Sequence, residues 1–330
     1  MYKNRIPYNL HLFDGNPNTN VTGELTEEMK TYYDTTLLET AEKNLVHDQF
    51  GMKKPIPKGR GKAIEFRCFD DLPKKTDKLT EGVTPDGQKL EVTSLTAEVG
   101  QYGGYVTVSD VLDMTAIDPV IVQATKKIAK QGGETLDTLT RDVLAAGTQV
   151  QYAEGQVNMR NQLTQEHKLT IDAVRRAVRT LKNNNIDPYD ECYVGIIHPD
   201  VAYDLMSDEK WVNVKSYSDP EGIYKGEIGK IENVRFVETT EAKKWVNKGS
   251  GSSVDVYSTL IIGDGAYGVT EIEGGGMEVI VKQQGSGGTS DPLNQRSTIG
   301  WKATHVAKIL NEKAMVRIET GCTFNDHTEN

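Results

Sequence analysis

Residues 118–147, DPVIVQATKKIAKQGGETLDTLTRDVLAAG, decide the fold. They predict one long helix. Asp118 is suited to cap its start, because a carboxylate accepts from the free amides of the first turn. Pro119 follows at the first helical position, where a missing N–H does no harm. Ile121, Ala124, Ile128, Gly132, Thr135 or Leu136, Leu139 and Val143 recur at steps of three and four, which makes one continuous stripe. Gly147 is the expected stop, in the left-handed conformation. At about 1.5 Å per residue, Pro119 to Ala146 would span roughly 42 Å, long enough to be a spine for other elements. The pair Gly132-Gly133 interrupts the stripe, and each glycine costs about 1 kcal/mol relative to alanine. Two readings stand: two shorter helices broken at the pair, or one helix whose close contact with another segment leaves no room for side chains.

The chain has 330 residues, enough for one large domain or two smaller ones. Hydrophobic residues make up 37% and the mean hydropathy is -0.52, low for this length. That suits a subunit which completes its burial against neighbours. With 38 Lys and Arg against 48 Asp and Glu, the net charge of -10 argues against a dedicated nucleic-acid binder. Cys68, Cys192 and Cys322 are far apart and form no CxxC pair, so neither a disulfide framework nor a zinc site is expected. The N-terminal MYKNRIPYNLHLFDG lacks the apolar core of a signal peptide. No apolar run approaches the roughly 20 residues of a membrane span. The expectation is a soluble protein made in a reducing cytoplasm.

Working outward, residues 1–23 read as an arm, either disordered or docked on another subunit. Thr26 to Phe50 predicts a helix, with Tyr33, Leu37, Leu38, Ala41 and Leu45 on its apolar face and Gly51 as its end. Ala63 to Phe69 reads as a strand, with Ile64, Phe66 and Cys68 on one face. A polar run, Asp70 to Lys78, and the turn signal Pro85-Asp86-Gly87 follow. Gln88 to Val99 returns as a strand whose alternation slips by one residue, which suggests a bulge. Gly103-Gly104 is expected to break it before a short strand, Tyr105 to Val108. Together these form a long hairpin with a charged tip, and isolated hairpins need support from a neighbour.

Beyond the long helix, residues 149–162 read as loop. Leu169 to Asn183 predicts a helix capped by Thr170, with Val174, Ala177, Val178 and Leu181 inward. Tyr193 to Ile197 reads as a buried strand, and His198-Pro199-Asp200 as a turn into a short helix, 201–206. Residues 214–229 are loop-rich, and 230–238 return as strand with a turn at Asn233. Residues 246–253 read as a surface loop and Val256 to Gly263 as a strand. Residues 268–273 and 277–282 are expected to pair as a hairpin. Two strands, 298–310 and 314–320, follow.

Chemistry is sparse. His11, His47, His167, His198, His305 and His327 show no metal-ligand spacing. His198 with Asp200 is a conceivable dyad, and a locally bonded turn histidine is the favoured alternative. The runs 263–265 and 274–276 lack the strand–helix context of a phosphate loop, and no GxSxG elbow is present. Glu271, Glu273 and Glu278 read as a solvated strand face. Lys74, Lys75 and Lys78 are too few for a nucleic-acid patch. No catalytic residue, cofactor or metal is expected.

LTEGVTPDGQKLEVTS (79–94), TAIDPVIVQATKKIAKQGGETLDTLTRDVLAAGT (115–148) and DPLNQRSTIGWKATHVAKILNEKAMVRIE (291–319) are similar to the N4 gp56-like major capsid proteins of tailed bacteriophages. The similarity runs from about residue 23 to 320. It implies the α+β HK97-type capsid fold: an N-terminal arm and helix (1–58), an extended E-loop (59–110), a P-domain with the spine helix (111–184), an A-domain (185–265), and C-terminal strands returning to the P-domain (266–330). It implies a non-enzymatic subunit that self-assembles into hexamers and pentamers of an icosahedral head around double-stranded DNA. An encapsulin-like compartment shell is the alternative on the same fold, and a hydrolase using His198 and Asp200 a third. Expected partners are other copies, portal, scaffolding and decoration proteins, and packaged DNA held non-specifically on the inner face, with assembly in the host cytoplasm and no membrane. No scaffolding segment is expected ahead of Met1, and a lysine cross-link near the hairpin tip is not. Lys74, Lys75, Lys78, Asp86, Gly132 and Gly133 are the candidate inter-subunit contacts.

Overall fold

The computed structural model describes residues 19–20, 46–69, 72–79, 81–82, 84, 86–115, 120–153, 157–208, 229–273, 277–282, 284–285 and 291–330. Most of the predicted arm, most of the first predicted helix and the expected caps Asp118 and Pro119 lie outside them; residues 46–50, expected as the end of that helix, form a turn.

In chain order the first strands are β1 (Thr19–Asn20), β2 (Met52–Lys53), β3 (Ala63–Phe69), β4 (Val92–Glu98) and β5 (Gly100–Ser109). Helices α1 (Asp110–Thr115) and α2 (Val120–Ala145) follow, then β6 (Val150–Tyr152), α3 (Ile171–Asn183), β7 (Tyr193–Ile197) and α4 (Pro199–Met206). The remaining strands are β8 (Gly229–Ile231), β9 (Val234–Glu238), β10 (Lys244–Trp245), β11 (Val256–Ile262), β12 (Tyr267–Thr270), β13 (Glu278–Lys282), β14 (Arg296–Ile309) and β15 (Met315–Thr320). Two compact units emerge, one formed by residues 1–42, 101–133 and 277–303, the other by 43–100, 134–276 and 304–330.

In the first unit, β13 pairs antiparallel with the start of β14, from Glu278↔Lys302 to Lys282↔Thr298. Strand β5 is the other neighbour of β14 and carries β1 in parallel. Val108, Leu112, Ile128, Ile299, Trp301 and Ala303 are buried here. Gly103-Gly104 does not break β5. A Cβ at Gly103 would stand 2.7 Å from the Trp301 carbonyl oxygen, so the glycine permits a close strand approach instead of ending the strand.

The second unit is built on a seven-stranded sheet, ordered β6-β15-β11-β7-β9-β8 with β10 also on β11. Both of its faces are covered, and every residue of β7 and β11 is buried. Tyr193, Ile197, Tyr257, Ile261, Val316 and Ile318 pack with α3 and α4. Val194, Ile196, Leu260, Ile262 and Met315 pack with Leu144 of α2 and with Tyr267. Helix α3 is capped as expected, the Thr170 side chain accepting from the Ala173 amide, with Val174, Ala177, Val178 and Leu181 buried. Residues 150–152, expected as loop, are a strand paired in parallel with β15. Strands β8 and β9 form a hairpin whose turn residues Glu232 and Asn233 both have positive φ. Strand β12 pairs antiparallel with the end of β14, from Tyr267↔Ile309 to Thr270↔Val306. The expected hairpin of 268–273 with 277–282 is therefore corrected: β12 and β13 each take a different stretch of β14.

Helix α2 is one continuous helix of 26 residues, roughly 39 Å long at 1.5 Å per residue. Its second half does not bury the expected stripe. Asp137, Thr140, Arg141 and Leu144 are the buried face, and Leu136, Leu139 and Val143 are only partly covered. Gly147 does not take a positive φ. The carbonyls at the helix end are capped from elsewhere: the buried Arg317 guanidinium donates to Ala145 O and, at 3.0 Å, to Gly147 O. Arg317 is itself held by Glu319 at 3.0 Å, and Glu319 accepts two further bonds from Arg160, at 2.8 and 2.6 Å. Arg160 lies 3.7 Å over the Trp245 ring.

Strand β2 ends the strand order beyond β12, pairing in parallel at Gly268↔Met52. The amides of Lys54 and Ile56 point at β12, donating to Val269 O and Glu271 O at 3.3 and 2.8 Å. The alternate positions face outward, and two of them are Pro55 and Pro57, which have no N–H to offer. Exposed Lys53, Lys54 and Lys58 flank them. This edge is closed to a further strand.

Candidate assembly surfaces

Strands β3 and β4 form a sheet of their own, a two-stranded antiparallel ribbon. Its register runs without interruption from Ala63↔Glu98 to Phe69↔Val92, so the expected bulge is absent. The alternation slipped in the sequence because Val92 lies on the face opposite Leu95 and Ala97. Leu95 and Ala97 face the same side as their partners Phe66 and Ile64. Phe66 is the buried aromatic of the ribbon, and its ring lies 3.0 Å from where a Cβ on Gly268 would stand. Burying one such ring is worth about 1.5–3 kcal/mol, which fastens the ribbon at its root and leaves its far end unsupported.

Beyond β3 the described chain has no regular structure until β4. Lys74, Lys75, Lys78 and Asp86 are all exposed there. The structure brings two of these candidates together: Lys75 Nζ donates to the Asp86 backbone carbonyl at 2.7 Å. Gln88 makes a second cross-link, donating to Pro73 O at 3.3 Å. These bonds staple the two sides of the tip. Leu72, Leu79, Leu90 and Val92 are each about half exposed or more, an unusual density of uncovered apolar side chains on one excursion.

Gly132 and Gly133 are buried. A Cβ on Gly132 would stand 2.8 Å from Met277 Sδ and 3.0 Å from Trp301 Cδ2. The close contact expected of the glycine pair is present, and at Gly132 the chain's own Trp301 and Met277 fill it.

His198 and Asp200 meet, with His198 Nδ1 3.3 Å from Asp200 Oδ2, and both are tied into local bonds. His198 Nδ1 accepts from the Asp200 amide at 3.2 Å, capping α4, and Asp200 Oδ2 accepts from the Tyr257 hydroxyl at 2.8 Å. Burial holds the His198 pKa below its ordinary value against the opposing pull of Asp200. This is the locally bonded turn histidine. Glu271, Glu273 and Glu278 are exposed. Among the described residues no cluster of His, Cys, Asp and Glu fits a metal ion, and no helix is long and apolar enough to cross a membrane.

Two polar assemblies escaped the sequence reading. One is buried. The His47 amide donates to Asp137 Oδ1 at 2.7 Å, and His47 Nδ1 meets Asp137 Oδ2 at 2.7 Å. Thr140 donates to Asp48 Oδ1 and lies 2.9 Å from His305 Nε2. The Tyr267 hydroxyl donates to the His47 carbonyl. No apolar periodicity announces such a site. The single available signal is polar residues at helical spacing on α2.

The other runs along residues 321–330. The Gly321 amide donates to His167 O at 2.9 Å. Thr323 donates from its amide (2.8 Å) and its hydroxyl to Asp204. Asn325 accepts from the Asp255 amide at 2.8 Å, and the His327 amide donates to Asp255 Oδ2 at 2.9 Å. Lys244 bonds Asp326, and Asn330 reaches Thr240 O at 3.0 Å. The segment is a polar strap on the second unit.

A model of the phage capsid protein family matches residues 92–318. No curated protein sequence matches the chain. Solved structures are similar to it. The capsid chain of Ralstonia phage GP4, at 13% identity, gives a TM-score of 0.68 over 96% of this chain and 98% of that one. The capsid chain of cyanophage P-SCSP1u, also at 13% identity, gives 0.66 over 89% and 93%. That of cyanophage Pam1, at 13%, gives 0.65 over 80% and 86%.

Proposed function

The chain belongs to the phage capsid protein family, and from that premise we propose that its β3–β4 ribbon is the part shared with neighbouring copies in the shell. Its fold is the mixed α+β HK97-type capsid fold. It is a structural protein of the virion, a major capsid protein whose copies assemble into the head. The observation that carries this reading is the match of the family model over residues 92–318.

The finer reading is ours. Residues 59–110 are the E-loop, a role supported by the separate two-stranded ribbon with its exposed leucines. Residues 185–265 are the A-domain, supported by the five strands β7 to β11 lying in one sheet. Residues 1–58 are the arm and first helix, 111–184 and 266–330 the P-domain. Lys74, Lys75, Lys78 and Asp86 make polar contacts on a neighbouring copy; Gly132 and Gly133 contribute through the backbone shape they allow. The shell consists of hexamers and pentamers around double-stranded DNA, which the acidic chain holds non-specifically. Portal, scaffolding and decoration proteins are its partners, assembly takes place in the host cytoplasm, the chain performs no chemistry, and it belongs to the N4 gp56-like branch.

Electron microscopy combined with size exclusion of the purified chain tests this reading. Closed particles, rings or capsomer sheets are expected. A chain that stays monomeric at high concentration, with scaffolding protein supplied, overturns it.

A further inference from the structure

The buried cluster of the second unit has more to it than satisfied polar groups. It joins four segments: the turn 46–50, helix α2, β12 and β14. His47, Asp137 and Thr140 are at most 1% exposed, and His305 is 5% exposed. Asp48 is partly buried beside them. His47 Nε2 has no hydrogen-bond partner among the described residues. Other ionisable groups bearing on Asp48 are His47, Asp137 and His305, and Tyr267 lies close by with Tyr189 beyond it.

The bonding through Thr140 has two self-consistent directions. A hydroxyl has one proton to give. When Asp48 is ionised, Thr140 gives that proton to Asp48 and must accept from His305, so His305 carries its hydrogen on Nε2. When Asp48 is protonated, it donates to Thr140, whose own proton is then free for the Nε2 of a neutral His305. A proton at Asp48 thus reverses the direction of bonding through one hydroxyl.

We propose that Asp48, Thr140 and His305 form a proton-operated fastener that holds the turn 46–50, and through it the root of the ribbon, to helix α2. Asp48 is displaced upward from the ordinary carboxylate value, chiefly by burial, which outweighs the lowering by Thr140 and the two imidazoles. The folded chain therefore keeps the Asp48 proton to a higher pH than the unfolded chain does. Its contribution to fastening is present at low pH and is lost as pH rises through the raised value. The device sits on the path to the ribbon, since residues 46–50 lead directly into β2 and then β3. It does not depend on the assembly reading and can be tested on the unassembled full-length chain.

Hydrogen exchange of the His47 amide, corrected for intrinsic rate, reads the fastener at about pH 4, near the ordinary carboxylate value, and at about pH 8. Protection is expected to fall severalfold at the higher pH, as Asp48 loses its proton. Asp48→Asn presents a permanent donor to Thr140 and should hold the protected state at both pH values. Thr140→Val keeps the shape and cuts the relay, so the pH dependence should vanish; Thr140→Ser keeps a hydroxyl and should restore it. His305 ring carbon shifts should report Nε2–H at high pH, where Asp48 is ionised and Thr140 gives it its proton. Protection in the wild type that does not change with pH, or a dependence that persists in Thr140→Val, overturns the proposal.

Discussion

Gly132 lets the ring of Trp301 lie against the backbone of helix α2, with Trp301 Cδ2 3.0 Å from where any Cβ would be. The helix therefore carries a poor helix former at its middle because a large side chain of β14 occupies the space. Alanine there would gain about 1 kcal/mol of helix propensity. It would also crowd the Trp301 ring and Met277 Sδ, and overpacking typically costs 1–3 kcal/mol. Gly132→Ala should lower the melting temperature, and Gly132→Leu should lower it further. Adding Trp301→Phe should recover part of the loss; thermal melts of the three variants check this.

Deleting residues 74–87 removes the tip staple of Lys75 and Asp86 without touching the Phe66 anchor. The melting temperature and far-UV dichroism should stay near wild type. Closed shells should be absent by electron microscopy, and normal particles from this deletion would refute the role given to the ribbon.

Arg160, Glu319 and Arg317 form a buried chain of charge that caps the end of α2. Glu319→Leu leaves Arg317 buried without its anion, a situation that typically costs 3–5 kcal/mol. Denaturant titration should show a large fall in midpoint. Replacing Arg317 and Glu319 together by Leu and Met should be milder, since no lone charge remains.

The strap should respond to acid. Asp204 is held below the ordinary 3.8 despite burial, by its bonds from Thr323. Asp255 is likewise lowered, through the amides of Asn247 and His327. Depressed pKa values mean stability that is present above 3.8 and lost as pH falls through the folded-state values. Residues 321–330 should therefore stay protected at neutral pH and gain deuterium rapidly only below about pH 4. Release already at pH 6 would contradict this.

Local signals carried much of the fold. Strands β3 and β7 have the bounds their alternation and apolar runs predict, and Thr170 caps α3. The errors came from long-range pairing. Gly103-Gly104 reads as a break until Trp301 is placed beside it. Residues 150–152 become a strand because β15 offers an edge, and β12 and β13 ignore each other because β14 is long enough to take both. The buried face of α2 from Asp137 to Leu144 was missed for a different reason. Apolar periodicity cannot mark a face whose partners are His47, Asp48 and His305. Of the candidate contacts, Lys75 with Asp86 and Gly132 with Trp301 acquired partners that sequence spacing could not name.

The prolines at the outer edge of β2 have a consequence for how copies meet. A strand added to an open sheet edge binds through a row of backbone bonds that dissociates slowly. Pro55 and Pro57 remove that row, so at this edge encounters between copies must rely on side chains, which separate and try again. A strand arriving from outside therefore finds two missing donors in the stretch that follows β2, at Pro55 and Pro57.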